Sequence, residues 1–242
     1  IYQHPEWFPI QPMSTKVLVP QSLRRAQRVI AVSEATKNDL TLLMNVSAKK
    51  IDVVYEAADT ESLDLEDRLT NVRQEYGLPR KYVLYVGTIE PRKNIDRLLR
   101  AWRRMTIDHP SLTRQATLVL AGGVGPQSDA TFQHIRSMQR RSLVRYLGYI
   151  PHNHKILLLK SATAFVFPSL YEGFGLPVLE AMQLGVPTLT STTSSLPEVA
   201  GRAALLVNPG DERALADGLR QLLQKQDLRL GLSAAGKRQA KK

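Results

Sequence analysis

The chain has 242 residues, 43% of them hydrophobic, no cysteine, and a formal charge of +11 at pH 7. This length and apolar content carry a sizeable core and exclude wholesale disorder. The missing cysteines exclude disulfides and thiolate metal sites and fit a reducing cytoplasm, and no apolar run is long enough to span a bilayer. The positive field favours anionic partners such as nucleotides or acidic lipid surfaces. Nucleic acid is not expected, since no nucleic-acid motif and no aromatics interleaved with the basic residues accompany the charge.

Val29–Val32 reads as a strand, and Ser33-Glu-Ala-Thr36 is an N-cap signal for a helix over Lys37–Met44. Ile51–Tyr55 is a second strand. Residues 56–80 are polar, and a domain crossover is placed near residue 56. Tyr82–Val86 is a buried strand ended by Gly87. Asn94 is expected to cap a helix with Ile95, Leu98, Leu99, Trp102 and Met105 at helical spacing and Arg97, Arg100 and Arg104 on the other face. The strand Thr117–Ala121, the turn Gly122-Gly123, the helix Asp129–Arg140 and the strand Val144–Leu147 follow. Then come a short helix Lys155–Lys160, a strand Ala164–Pro168, a helix Pro177–Leu184 closed by Gly185, and a strand Pro187–Ser191. Leu196–Val199 (helix), Ala204–Val207 (strand) and Glu212–Gln224 (helix) complete the pattern, and Lys237–Lys242 reads as a basic helix cut short. Repeated strand–helix alternation predicts an α/β fold with a doubly wound, Rossmann-like parallel sheet. Residues 1–55 are expected to be the tail of an upstream domain, 56–235 the main domain and 236–242 a truncated basic tail.

The chemistry concentrates in Pro168-Ser-Leu-Tyr-Glu-Gly-Phe-Gly-Leu-Pro-Val-Leu-Glu-Ala-Met182. A strand ends at Pro168, and a loop then carries Glu172, Gly173, Phe174, Gly175 and Leu176. Pro177 suits a first helical position. Glycines that admit a ligand, ahead of a helix N-terminus with outward N–H groups and partial positive charge, make a phosphate site. Glu172, in the loop, and Glu180, expected in the first helical turn, would repel a phosphate, so they make better acceptors for sugar hydroxyls on either side of a diphosphate. A dipole-complementing Glu180 and a solvated Glu172 fit the spacing equally well. In Tyr85-Val-Gly-Thr-Ile-Glu-Pro-Arg-Lys-Asn-Ile95, Arg92 and Lys93 open a helix, where cations oppose the dipole and an anion should compensate. A solvated helix start is the alternative. The five histidines share no metal-ligand spacing.

With two glutamates separated by seven residues around Gly-Phe-Gly-Leu-Pro, this stretch resembles the signature of retaining glycosyltransferases of the GT-B fold, family 4. The likeness extends from about Val29 to Ala235. It implies that the main domain is the donor-binding half and that residues 1–55 are a remnant of the acceptor domain. It implies that Glu172 contacts the transferred sugar, Glu180 the ribose, and Lys93 the diphosphate, with Gly87, Gly122 and the Gly173–Leu176 backbone close to the donor. Family members often carry an arginine after the strand glycine, where this chain has Thr88, so Arg92 is expected to supply that charge. Leu147-Gly-Tyr-Ile-Pro151 resembles the nucleobase segment, which makes Tyr149 and Ile150 candidate base contacts. Thr190–Leu196 resembles the loop near the diphosphate, and Val53–Asp59 the interdomain linker.

The activity so implied is transfer of a sugar from a nucleoside diphosphate sugar, GDP-mannose or a UDP-sugar, to a glycan or lipid-linked acceptor. Retention at the anomeric carbon is implied, with no metal or other cofactor because cations take the metal's place. A cytoplasmic location with peripheral contact at an anionic membrane suits the charge. The chain is expected to be a fragment lacking most of the acceptor domain, able to bind donor without transferring. A sugar-nucleotide epimerase of the same fold and a non-catalytic nucleotide-sugar-binding protein remain alternatives.

Overall fold

The computed structural model describes residues 4–7, 14–58 and 72–242. Its centre is a six-stranded parallel sheet built from β3 (Tyr82–Val86), β4 (Thr117–Ala121), β5 (Val144–Tyr146), β6 (Ala164–Phe167), β7 (Thr188–Ser191) and β8 (Leu205–Val207), in the spatial order β5-β4-β3-β6-β7-β8. The chain starts at the middle with β3, winds outward through β4 and β5, then returns beside β3 with β6 and winds the other way. The direction therefore reverses between β3 and β6, which pair in parallel through Val83 with Ala164 and Leu84 with Phe165. A doubly wound sheet opens a crevice at this reversal, at the carboxyl ends of the strands. A separate two-stranded parallel sheet joins β1 (Val29–Ala31) to β2 (Ile51–Val53) over a small core of Ala31, Val46 and Ile51. The expected crossover near residue 56 falls just after β2. The linker's remainder, including Asp59, lies outside the described residues.

Helices cover both faces because strands buried on both sides need partners. The helix Ile95–Asp108 buries the predicted apolar stripe, and Trp102 also donates its indole N–H to the Leu143 carbonyl at 2.8 Å. The helix His152–Ser161 runs longer than its predicted core and packs Ile156, Leu157, Leu158 and Leu159 inward. Two caps were expected. Ser33 caps Glu34–Met44, its Oγ accepting from the Thr36 N–H at 3.0 Å. Asn94 makes no side-chain cap. Its backbone is left-handed (φ 60°), which asparagine tolerates, and its amide instead donates to the Pro168 and Pro209 carbonyls at 3.1 and 2.8 Å.

Other stretches also differ from expectation. Before β1, a short π-helix, Ser14–Leu18, runs into an α-helix, Val19–Arg25, where no element was read. A helix over Gln226–Gln239 runs through the expected 235/236 boundary, seating Gly236 so close to Met182 that a Cβ would stand 3.3 Å from its Cα. Glu180 is the fifth residue of the helix Leu176–Gln183, in its second turn. One turn takes about 3.6 residues, so a start at Leu176 leaves Glu180 beyond the reach of the N-terminal partial charge. Among the described residues, no helix is long and apolar enough to cross a membrane.

Candidate functional site

The two predicted loops leave the sheet from β3 and β6, the strands flanking the winding reversal. Their backbones join where the Leu170 N–H donates to the Arg92 carbonyl at 2.9 Å. Arg92 and Lys93 lie in a single 3-10 turn, Pro91–Lys93. Across the crevice stands Glu172, only 8% exposed. Its Oε1 accepts from Lys93 Nζ at 2.6 Å and its Oε2 from Arg92 Nη1 at 2.6 Å. Arg92 also donates to the Tyr171 carbonyl at 2.9 Å and, through Nη2, to Glu90 Oε1 at 2.6 Å. The Lys93 ammonium sits 4.8 Å from the centre of the Phe167 ring.

The anion demanded by two cations at a helix start is thus already supplied by the chain, as Glu172 and Glu90. These charge-assisted bonds fix the cations' directions. The electrostatics follow. Burial opposes charge on Arg92, but Glu172 and Glu90 outweigh it and hold the guanidinium above its usual range. Lys93 is pulled below the usual lysine value by burial, joined by the Arg92 charge and opposed by Glu172. Burial, then Glu172 and Glu90, push the fully buried Tyr85 hydroxyl well above its ordinary value, so it stays protonated and bonds the Thr88 carbonyl at 3.2 Å.

Past Glu172, hydroxyls fix the loop. The Glu172 N–H donates to Ser194 Oγ at 2.9 Å, and the buried Ser195 hydroxyl lies 3.0 Å from the Glu172 carbonyl and 2.6 Å from the Phe174 carbonyl. A planar trans peptide aims each N–H opposite its carbonyl. The N–H groups of Gly173, Phe174 and Gly175 have no partner among the described residues. Gly173 is exposed, so ligand can reach the loop. Glu180 forms a second centre with Lys155, whose Nζ lies 2.6 Å from Oε1. Two buried hydroxyls near the carboxyl ends of β6 and β7, Ser169 and Ser191, also lack a protein partner among the described residues.

The structure therefore brings Arg92, Lys93 and Glu172 into one cluster, with Gly173–Leu176 beside it and Glu180 beyond. Gly87, Gly122 and Gly148 line the neighbouring strand ends, where the Gly87 N–H donates to Ala121 and the Gly122 N–H to Gly148, at 2.9 and 2.7 Å. Thr88 is exposed after β3. Tyr149 is 82% exposed on the turn after β5, while Ile150 beside it is buried in the core. Sequence reasoning missed Glu90 and Lys155 as parts of the site, and it reached Ser194 and Ser195 only as members of the Thr190–Leu196 loop, by resemblance. The dipole argument that singled out Arg92 and Lys93 applies equally to Lys155, which sits in the first turn of its helix. Apart from that resemblance, the two serines read as an ordinary loop.

A sheet wound in this order, with a basic turn and a loop whose N–H groups have no partner among the described residues at its reversal, is a doubly wound, Rossmann-like unit whose crevice suits an anionic ligand. The family model for glycosyl transferases group 1 matches residues 70–239, and the chain belongs to that family. It is 38% identical over 224 residues to O-antigen chain mannosyltransferase B of Escherichia coli, covering 91% of this chain and 58% of the relative. It is 27% identical over 226 residues to O-antigen chain mannosyltransferase RfbU of Salmonella typhimurium, covering 93% and 59%. The chain therefore spans little more than half the length of these relatives. Among solved structures, Anabaena Alr3699/HepE in complex with UDP and glucose superposes with a TM-score of 0.81 at 20% identity, covering 99% of this chain and 64% of that one.

Proposed function

We propose that the protein transfers a sugar from a nucleoside diphosphate sugar to a saccharide acceptor, with mannose as the sugar, GDP as its carrier and retention at the anomeric carbon. The observation that carries this reading is the Glu172 carboxylate clamped by Lys93 and Arg92, beside the N–H groups of Gly173–Gly175 that have no partner among the described residues, at the winding reversal of the sheet. The mannosyltransferase relatives support the choice of sugar.

In this reading the diphosphate lies over the loop N–H groups and Lys93, with Arg92 sharing its fork between phosphate and Glu172. These fixed donors stabilise the charge that builds on the leaving diphosphate as the bond to the anomeric carbon breaks, each contributing about 3 kcal/mol in a dry cleft. The acceptor oxygen bonds to that carbon on the face the diphosphate leaves, and the acceptor's hydroxyl proton passes to the departing diphosphate oxygen. Glu172 keeps lone pairs beyond its two ion pairs and holds a sugar hydroxyl. Glu180 accepts from the ribose with the oxygen not committed to Lys155. Tyr149 and Ile150 border the base. The cations do the work of a metal, so no metal or other cofactor enters.

Calorimetric titration with GDP-mannose, UDP-glucose and ADP-glucose tests the reading. GDP-mannose is expected to bind best and Glu180→Ala to weaken it. No binding by any donor, with no effect of Glu180→Ala, rejects it. The +11 charge further supports docking on the cytoplasmic face of an anionic membrane, near a lipid-linked acceptor. Partition onto phosphatidylglycerol vesicles, strong at low salt and weakened at physiological salt, checks that point.

A further inference from the structure

The carbonyls on either side of Gly173 are held by Ser195, from within the six-stranded unit. The Gly173 carbonyl is held from outside it. Ser33 Oγ donates to it at 2.6 Å and Thr36 Oγ1 at 3.0 Å, so both lone pairs of one oxygen are taken by hydroxyls from the start of the helix Glu34–Met44. That helix packs on β1 and β2, in the two-stranded unit. Contact also runs the other way. The Glu198 carboxylate, on the short helix Leu196–Ala200, accepts from the Glu34 and Ala35 N–H groups at 2.8 and 3.3 Å. Anions are favoured at a helix N-terminus, so this docking fixes the helix against the loop. Ser33 is fully buried there.

Because the peptide is planar, holding the Gly173 carbonyl sets the direction of the Phe174 N–H, which is turned away from the helix and has no partner among the described residues. We propose that Ser33 and Thr36 are positioning residues for the donor loop: by fixing the Gly173–Phe174 peptide they make diphosphate binding depend on the docking of the two-stranded unit. This rests on the donor reading given above. Without the hydroxyls the peptide can rotate, and the N–H that meets the diphosphate must then be ordered at the moment of binding.

Thr36→Val is the clean variant, because it keeps the side-chain shape and leaves the Ser33 cap in place. GDP and guanosine are titrated into the full chain, guanosine by ligand-observed NMR. GDP affinity is expected to fall about threefold in Thr36→Val and about tenfold with Ser33→Ala added. Guanosine binding should not change, and Thr36→Ser should restore the wild-type GDP value. Unchanged GDP binding, or a parallel loss of GDP and guanosine that marks general loosening, overturns the proposal. Should wild type bind no nucleotide diphosphate at all, the donor reading fails by itself. The pin is then decided by amide exchange over residues 172–176, where faster exchange in Thr36→Val upholds it and identical exchange overturns it.

Discussion

Two glycine turns leave the carboxyl edge of the sheet, and they need glycine for opposite reasons. At the ends of β3 and β4, Gly122 has φ of 147°, and a Cβ there would lie 1.9 Å from the Gly87 carbonyl oxygen. The protein's own backbone fills that space. After β6, Gly173 has no such φ, and a Cβ would meet only Thr36 Oγ1, at 3.9 Å, an ordinary contact. Nothing among the described residues demands glycine at Gly173, and on the proposed function the approaching donor supplies the reason. Gly175, two residues on, returns to the first kind, with φ of 115° and Leu196 Cδ2 at 2.8 Å from a Cβ. A glycine-rich motif is therefore part scaffold and part opening, and contact geometry separates the parts.

Substitution at the scaffold position should have the largest effect. Gly122→Ala forces a methyl into backbone that cannot yield, so a loss of more than about 4 kcal/mol is expected, or failure to fold. Urea unfolding measures it, and a midpoint near wild type would erase the distinction between the turns. Glu172→Gln comes next. It leaves the buried Lys93 without its partner while Arg92 keeps Glu90, so about 3 kcal/mol of stability should go. On the proposed mechanism, sugar transfer in the complete enzyme falls by at least about a hundredfold. GDP binding is kept or tightened, because Lys93 is freed and Arg92 loses one of its two carboxylate partners. Loss of GDP binding in the folded variant would show that Glu172 holds the diphosphate side and not the sugar.

The sheet was legible because buried parallel strands such as Tyr82–Val86 and Ala164–Phe167 are continuous apolar runs and the covering helix Ile95–Asp108 keeps a strict apolar stripe. The helix Gln226–Gln239 was not, since Gly231, Ser233 and Gly236 dilute its pattern and Gly236 serves packing on Met182. Arg92 and Lys93 were legible as cations needing an anion, and Glu172 and Glu180 as acceptors for hydroxyls. Which charge partners which was not, because Glu172 meets Arg92 and Lys93, and Lys155 meets Glu180, only through the fold. Ser33 and Thr36 read as a helix cap, and one of them is. Their grip on a carbonyl 140 and 137 residues away leaves no periodicity to read.

Gly173→Ala sharpens the contrast from the ligand side. Stability should stay within about 1 kcal/mol of wild type, because the backbone conformation is open to alanine and the unfolded chain loses some freedom. GDP-mannose affinity should fall about tenfold, since a methyl intrudes where the donor approaches. Melting and titration of the same sample read both. A variant that binds normally would make Gly173 as incidental as any loop glycine.

The smallest effect lies in pH. Burial and Arg92 hold the Lys93 pKa below its usual value against the pull of Glu172, so its proton leaves at a pH below the ordinary lysine value of about 10.4. Diphosphate binding should weaken as pH rises through that lowered value, since a cation is lost. Stability moves the other way in the same window. Between the folded and unfolded pKa the unfolded chain binds more protons at this lysine, so the Lys93 contribution to stability rises with pH. Donor affinity and folding stability should therefore diverge on the alkaline side. Lys93→Arg, which cannot deprotonate there, should shift the binding limb upward. If wild type and variant lose GDP-mannose at the same pH, another group controls that limb, and Lys93 is not the cation the donor meets.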